Sequence, residues 1–343
     1  MTFLRAALLL SFSVPFAACM GEADWTLSTG AEPASNGVPE TAPMRVEAWQ
    51  ELSTGLPAVA GITSMAHFDG TVYAVATGAG STDLYSVASG STSWQKAGPA
   101  MRGAERAVAV ARVDLAVYLL ASDAAKGEGS LYRLELGADA WVRLAAAPSL
   151  SMSAIVKKGS ELLVACTGAA PGLYASANEG STWARRGTPQ GVGAFLARPV
   201  TSLVAAPGSR RLFAGTSTGL FYSDDAGGTW SAAPIHGEVR ALHASGAYML
   251  ADVAVDGAQR SDNFGATWHP APGLDAKTRS FFLAGTRAFA GTPNGVKVSE
   301  DGGATWRDSS AGLPALSDIR GLYLAGSWLF SATDARVFVA AVH

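Results

Sequence analysis

Four arginines carry the clearest chemical potential of the sequence, and that potential is for holding anions. Arg106, Arg240, Arg279 and Arg320 each stand near the start of a short apolar run, as in Arg240-Ala241-Leu242-His243 and Arg320-Gly321-Leu322-Tyr323. A guanidinium is planar, permanently charged and presents paired N–H donors that match a carboxylate. Groups that would turn a ligand over are harder to find. His67, His236, His243, His269 and His343 have no partner at motif spacing, and two cysteines with scattered histidines make no metal-ligand set. Glu105, Glu238 and Asp318 lie beside three of the arginines, where they serve as well for neutralisation as for acid–base work. No glycine-rich loop leads into a helix to cradle phosphate. The expectation is therefore recognition, with no catalytic group, metal or cofactor.

The elements that must position these arginines are set by a repeat. Ser-x-Asp/Asn-x-Gly-x-Thr-Trp occurs at 176–183, 223–230, 261–268 and 299–306, with the tryptophans 47, 38 and 38 residues apart. Such a period is that of sheets repeated around an axis. In each copy the acid or amide (Asn178, Asp225, Asn263, Asp301) can take backbone N–H groups and fix a tight turn. The following glycine permits positive φ, and the tryptophan supplies an apolar plate between neighbouring sheets. These are structural duties. The motif resembles the Asp-box, or BNR repeat, of sialidases and many other β-propellers, in which it sits at the blade periphery.

Around each motif run four short strands separated by Gly, Asp and Pro turns, as expected of one propeller blade. Trp94 and Trp141 end similar units that have lost the consensus, which gives six complete blades. Three further strands follow at 318–324, 328–332 and 336–340. Their missing partner lies at the other end, because Trp49 to Pro57 repeats the spacing of Trp306 to Pro314, with Gly-Leu-Pro six residues after the tryptophan. The expected fold is all-β: a seven-bladed β-propeller of four-stranded antiparallel blades, closed by an N-terminal strand that completes the last blade. Closure removes two open sheet edges.

Aligning the innermost strands through Gly-Leu-Pro puts Thr63, Arg106, Ser153, Thr201, Arg240, Arg279 and Arg320 at one position per blade. Four guanidinium groups would then face one mouth of the channel and attract an acidic ligand. The competing expectation is that Glu105, Glu238 and Asp318 neutralise them as ties between blades.

Ahead of the ring, Arg5 precedes an apolar stretch ending in Phe16-Ala17-Ala18-Cys19, an export signal over 1–18. The ending resembles the bacterial lipobox, whose cysteine is lipid-modified, with Phe16 in place of the usual Leu. A plain signal peptide cut after Ala18, or somewhat further on, is the alternative. Residues 19–43, rich in Gly, Pro, Ser, Thr and Glu, read as lipid anchor and flexible tether, with Trp25 the one large aromatic. The ring then spans 44–343, and Cys166, in an apolar strand, is left as a buried thiol. A net charge of −3 with 15% charged residues gives no case for nucleic acid.

The architecture resembles BNR-repeat lipoproteins of bacteria and the photosystem II assembly-factor propellers. The resemblance implies an envelope location, periplasm-facing or at the cell surface. It also implies a monomer that binds a protein, peptide or acidic glycan without chemistry. The alternative is a glycoside hydrolase. Sialidases need an arginine triad, a Tyr/Glu pair and an Arg-Ile-Pro motif before the first box, whereas Arg198-Pro199 here lacks the middle residue and follows it. Other Asp-box glycosidases set two carboxylates across a cleft between two propellers, and one propeller is present.

Overall fold

In a computed structural model of the protein, the described residues form 28 strands in seven sheets of four. The described residues are 44–57, 61–78, 81–88, 91–99, 105–123, 125–144, 147–148, 151–167, 172–186, 200–206, 209–274, 278, 280–333 and 336–343. The sheets are consecutive blades, and within each the strands neighbour one another in chain order and run antiparallel. Their innermost strands are Gly61–Phe68, Arg106–Val113, Ser151–Lys158, Val200–Ala205, Val239–Ser245, Ser280–Ala284 and Gly321–Ala325. Only the seventh blade departs from chain order. Its outermost strand is Gln50–Glu51, which pairs with Val339 and Phe338 of Val337–Ala341. Val46 bridges Val342 just below. The sequence expectation of a ring closed by its own N-terminal strand matches this topology.

The four Asp-boxes are built alike. In the second, Ser223 Oγ donates to Asp225 Oδ1 at 2.8 Å and accepts the Gly227 N–H at 2.8 Å, while Asp225 Oδ1 accepts the Thr229 N–H at 2.7 Å. Trp230 Nε1–H then donates to the Gly227 carbonyl at 3.2 Å. The turn needs more than a permissive glycine. The residue before it also has positive φ: Glu179 (55°), Ala226 (56°), Phe264 (55°) and Gly302 (68°). Gly227 serves a second purpose, because a Cβ there would lie 2.4 Å from Leu173 of the preceding blade. The box is therefore a joint between blades at the periphery.

Trp49, Trp94 and Trp141 have no box, and their indoles are satisfied differently. Each donates to a carbonyl in the loop leaving the preceding blade: Ser309 at 2.8 Å, Leu52 at 2.8 Å and Ala97 at 3.0 Å. Trp49 and Trp94 are buried, at 4% and 2% exposed. The repeated Gly-Leu-Pro segments make this possible. Gly312 (φ 93°) lets its loop lie against the Trp49 backbone, and Gly55 (φ 88°) does the same at Trp94.

An innermost strand has one edge without a strand partner, a cost that the ring meets with side chains. Ser64 Oγ accepts the Val110 N–H at 3.2 Å, His243 Nδ1 the Leu283 N–H at 3.3 Å, and Ser245 Oγ the Gly285 N–H at 2.9 Å. Tyr323 Oη accepts the His67 N–H at 2.6 Å, across the closure between the seventh and first blades. Cys166 is 1% exposed, and burial pushes its thiol up to about 12, so it packs as a small apolar group.

Candidate functional site

Six of the seven innermost strands align by a shared irregularity or its equivalent. One residue is extruded from the ladder at Thr63, Val108, Ser153, Thr201 and Arg240, each between two paired neighbours. Such a bulge re-aims a side chain away from the sheet. Arg320 takes the corresponding place before Gly321, with its N–H on the Ala332 carbonyl at 2.8 Å. Arg240 and Arg320 thus share a register, and both line one central cavity of about 200 Å³. Their side chains are 39% and 44% exposed.

Arg106 does not share that register. It pairs with Ser122 two residues ahead of the bulge, which Val108 occupies, and its Nη1 donates to the Glu105 carbonyl at 2.9 Å. Its strand alternates Ala and Val, so a register two residues off looks the same in sequence. Arg279 lies outside the described residues, as does Cys19.

Of the carboxylates expected to neutralise the arginines, Asp318 does pair with one, whereas Glu105 and Glu238 fall differently. Arg240 is held by Asp252 Oδ1 at 2.6 Å, and Asp252 is 1% exposed on the neighbouring strand of the same blade. Glu238 is exposed instead. Arg320 Nε donates to Asp318 Oδ2 at 3.2 Å. Glu105, 8% exposed, accepts the Ser130 hydroxyl at 2.6 Å and the Tyr132 hydroxyl at 3.0 Å. Asp252 was missed in the sequence although a signal was there. An acid within the apolar run Tyr248–Val253 must be paired when buried.

Around the arginines the cavity wall is mixed: Ile62, Met65, Leu242 and Phe281 each reach it with a small exposed fraction, beside Thr63, Ser64 and Thr201. His243 also lines it, packed against Phe282 with ring centroids 4.9 Å apart. Burial lowers its pKa to about 4, so the imidazole is neutral at neutral pH. Because Nδ1 accepts the Leu283 N–H, the proton is on Nε2. Among the described residues no group of His, Cys, Asp and Glu gathers as a metal site. The arrangement can bind and orient an anion next to an apolar surface.

The Asp-boxes stand apart from this site. Burial alone would raise the Asp225 carboxyl, but hydrogen bonds from Thr229, Ser223 and Gly228 outweigh it and hold the group below its usual range. Asp301 is governed the same way by Thr305, Ser299 and Ala304. Asn178 and Asn263 make the equivalent bonds without charge.

The chain is a seven-bladed β-propeller bearing Asp-box repeats. The BNR/Asp-box repeat model matches residues 221–232. No curated protein matches the chain in sequence. Among solved structures, YCF48 bound to D1 peptide is 14% identical with a TM-score of 0.62, over 88% of this chain and 98% of that one. The extracellular domain of a putative hybrid two-component system, BT4673 from B. thetaiotaomicron, has a TM-score of 0.65 at 13% identity, over 85% of this chain and 39% of that one. Virginiamycin B lyase from Staphylococcus aureus has a TM-score of 0.63 at 10% identity, over 88% and 99%. At these identities the likeness is one of fold.

Proposed function

We propose that the protein is an exported, membrane-anchored binding or scaffold module whose channel face recognises an acidic group on a protein, peptide or glycan. The observation that carries this reading is the pair Arg240 and Arg320, presented by separate blades to one cavity. Arg240 is paired with Asp252 and Arg320 with Asp318, yet both guanidinium groups stay 39% and 44% exposed at the cavity, where an exposed cation draws in an anion. Arg279, outside the described residues, falls between the two in the sequence register. Turnover is not supported, because Asp252 and Asp318 are each engaged by an arginine and His243 is buried and neutral. A similar fold that holds a peptide, YCF48, is consistent with a peptide partner.

The remaining parts of the reading come from the sequence: a signal peptide at 1–18, lipid on Cys19, a tether over 19–43 and a monomeric ring from 44. Mass spectrometry of the mature N-terminus tests the anchor, and a chain that begins unmodified at any residue other than Cys19 refutes it. For binding, a labelled polyglutamate peptide and an oligogalacturonate are titrated at low and high salt. Affinity is expected to fall with salt. It should also fall on Arg320→Ala, and on Arg240→Ala combined with Asp252→Asn, which removes the buried charge that faced Arg240. Salt-independent binding, or none, overturns the proposal.

A further inference from the structure

The cavity wall carries information about the partner that charge alone does not. A glycan is read through its hydroxyls, which demand donors and acceptors on the protein. Here most of the lining hydroxyls are turned into the protein, the exposed Thr63 reaching the Val108 carbonyl only at 3.5 Å. Thr201 Oγ1 donates to the Val239 carbonyl at 2.5 Å and Ser64 Oγ to that of Val110 at 2.9 Å. Tyr323 Oη accepts the His67 N–H. Ser202 and Ser280 are directed between blades, each Oγ 2.3 Å from where a Cβ on Gly215 or Gly291 would stand. Beneath the guanidinium groups the wall is instead formed by Ile62, Met65, Leu242 and Phe281. Outside the cavity, Val255 and Leu316 are 80% and 82% exposed. Both lie on the face where the innermost strands begin. Leu316 is held at φ 57°, with the Ser317 hydroxyl bonded back to the Pro314 carbonyl at 2.7 Å.

We infer that the site takes the carboxy terminus of a peptide whose last side chain is apolar. The α-carboxylate meets Arg240 and Arg320, the terminal side chain enters the apolar cavity, and upstream residues cross the rim at Val255 and Leu316. A carboxylate and an apolar side chain on one carbon match a charged mouth set on an apolar wall. An acidic sugar would place hydroxyls against Leu242 and Phe281 with nothing to bond. This inference rests on the anion-binding reading given above.

The test uses the full chain and labelled octapeptides of one upstream sequence, followed by fluorescence anisotropy. The series ends in Leu, Phe or Ser as free acids, in Leu amide, and in Leu amide with an internal Asp; N-acetyl-leucine is the competitor. The Leu and Phe acids are expected to bind about tenfold or more tightly than the Ser acid, as burial of a large apolar side chain provides. The amides should bind weakly and N-acetyl-leucine should compete poorly. Thr63→Phe, which fills the cavity from an exposed position, should abolish binding without lowering the melting temperature. Equal binding of Leu and Ser acids overturns the inference, as does an internal Asp that substitutes for the free terminus. N-acetyl-leucine as tight as the peptide would instead identify a small-acid site and also overturn it. In those cases salt-sensitive, arginine-dependent binding would still leave the anion site standing. Salt-insensitive binding of every probe removes both.

Discussion

Replacing His243 with Gln should flatten the acid limb of the stability curve. The imidazole is buried, and burial lowers its pKa from 6.5 to about 4. In the unfolded chain the ring is solvated and titrates near its ordinary value, so between these limits the unfolded state binds more protons. His243 therefore contributes stability that is fully present above about pH 6.5 and is lost as pH falls towards 4. The gap is worth about 3 kcal/mol at its full extent. Gln removes the titration while keeping an acceptor within reach of the Leu283 N–H, so its cost at neutral pH should be about 1–2 kcal/mol. His67, also lowered by burial and by Arg112, adds a slope of the same sign to both proteins and cancels in the difference. Asp225 and Asp301, both held low, act only at more acid pH. The assay is urea unfolding by tryptophan fluorescence from pH 7 to 4.5. The stability difference should shrink or reverse as pH falls. Parallel curves would show that His243 is solvated in the folded protein, and a difference that widens as pH falls would mark an imidazole already charged there; either would overturn the assigned environment.

The closure predicts that deleting residues 44–57 lowers the stability of the entire ring, whereas deleting 20–40 leaves the melting temperature nearly unchanged; equal melting of both truncations refutes it. Gly312→Ala, at φ 93° with its Cβ 2.6 Å from the Trp49 carbonyl oxygen, should cost more than about 1 kcal/mol in chemical denaturation. Gly246→Ala, at φ 56° with open space, should cost less, and the reverse order would contradict the packing described. Arg240→Ala leaves the 1% exposed Asp252 without its arginine and should destabilise by about 3 kcal/mol. Arg320→Ala, whose partner Asp318 is 32% exposed, should cost under about 1 kcal/mol, and equal effects would refute this asymmetry.

The repeat made the architecture legible in the chain itself. Each Asp-box is a local device whose serine, acid or amide, glycine and tryptophan satisfy one another within eight residues, so it survives as a pattern in one dimension. The matched Gly-Leu-Pro segments likewise revealed the closing strand, because the loops after Trp49 and Trp306 do the same work on Trp94 and Trp49. The positions of Thr63 and Arg320 could be counted from the Gly-Leu-Pro segments, and Ser153, Thr201 and Arg240 fall on the same bulge. Only the tertiary structure decided what lies across the register. Arg106 falls off the bulge, which its alternating Ala/Val strand does not reveal, and the partner of Arg240 is Asp252 rather than the nearer Glu238. The cavity wall gathers residues from the first, fourth, fifth, sixth and seventh blades, separated by up to about 260 positions in the chain. Local hydrogen bonding writes a motif into sequence, whereas a channel exists only after rigid blades have packed. Which side chains face it depends on the bulge and twist of every strand at once.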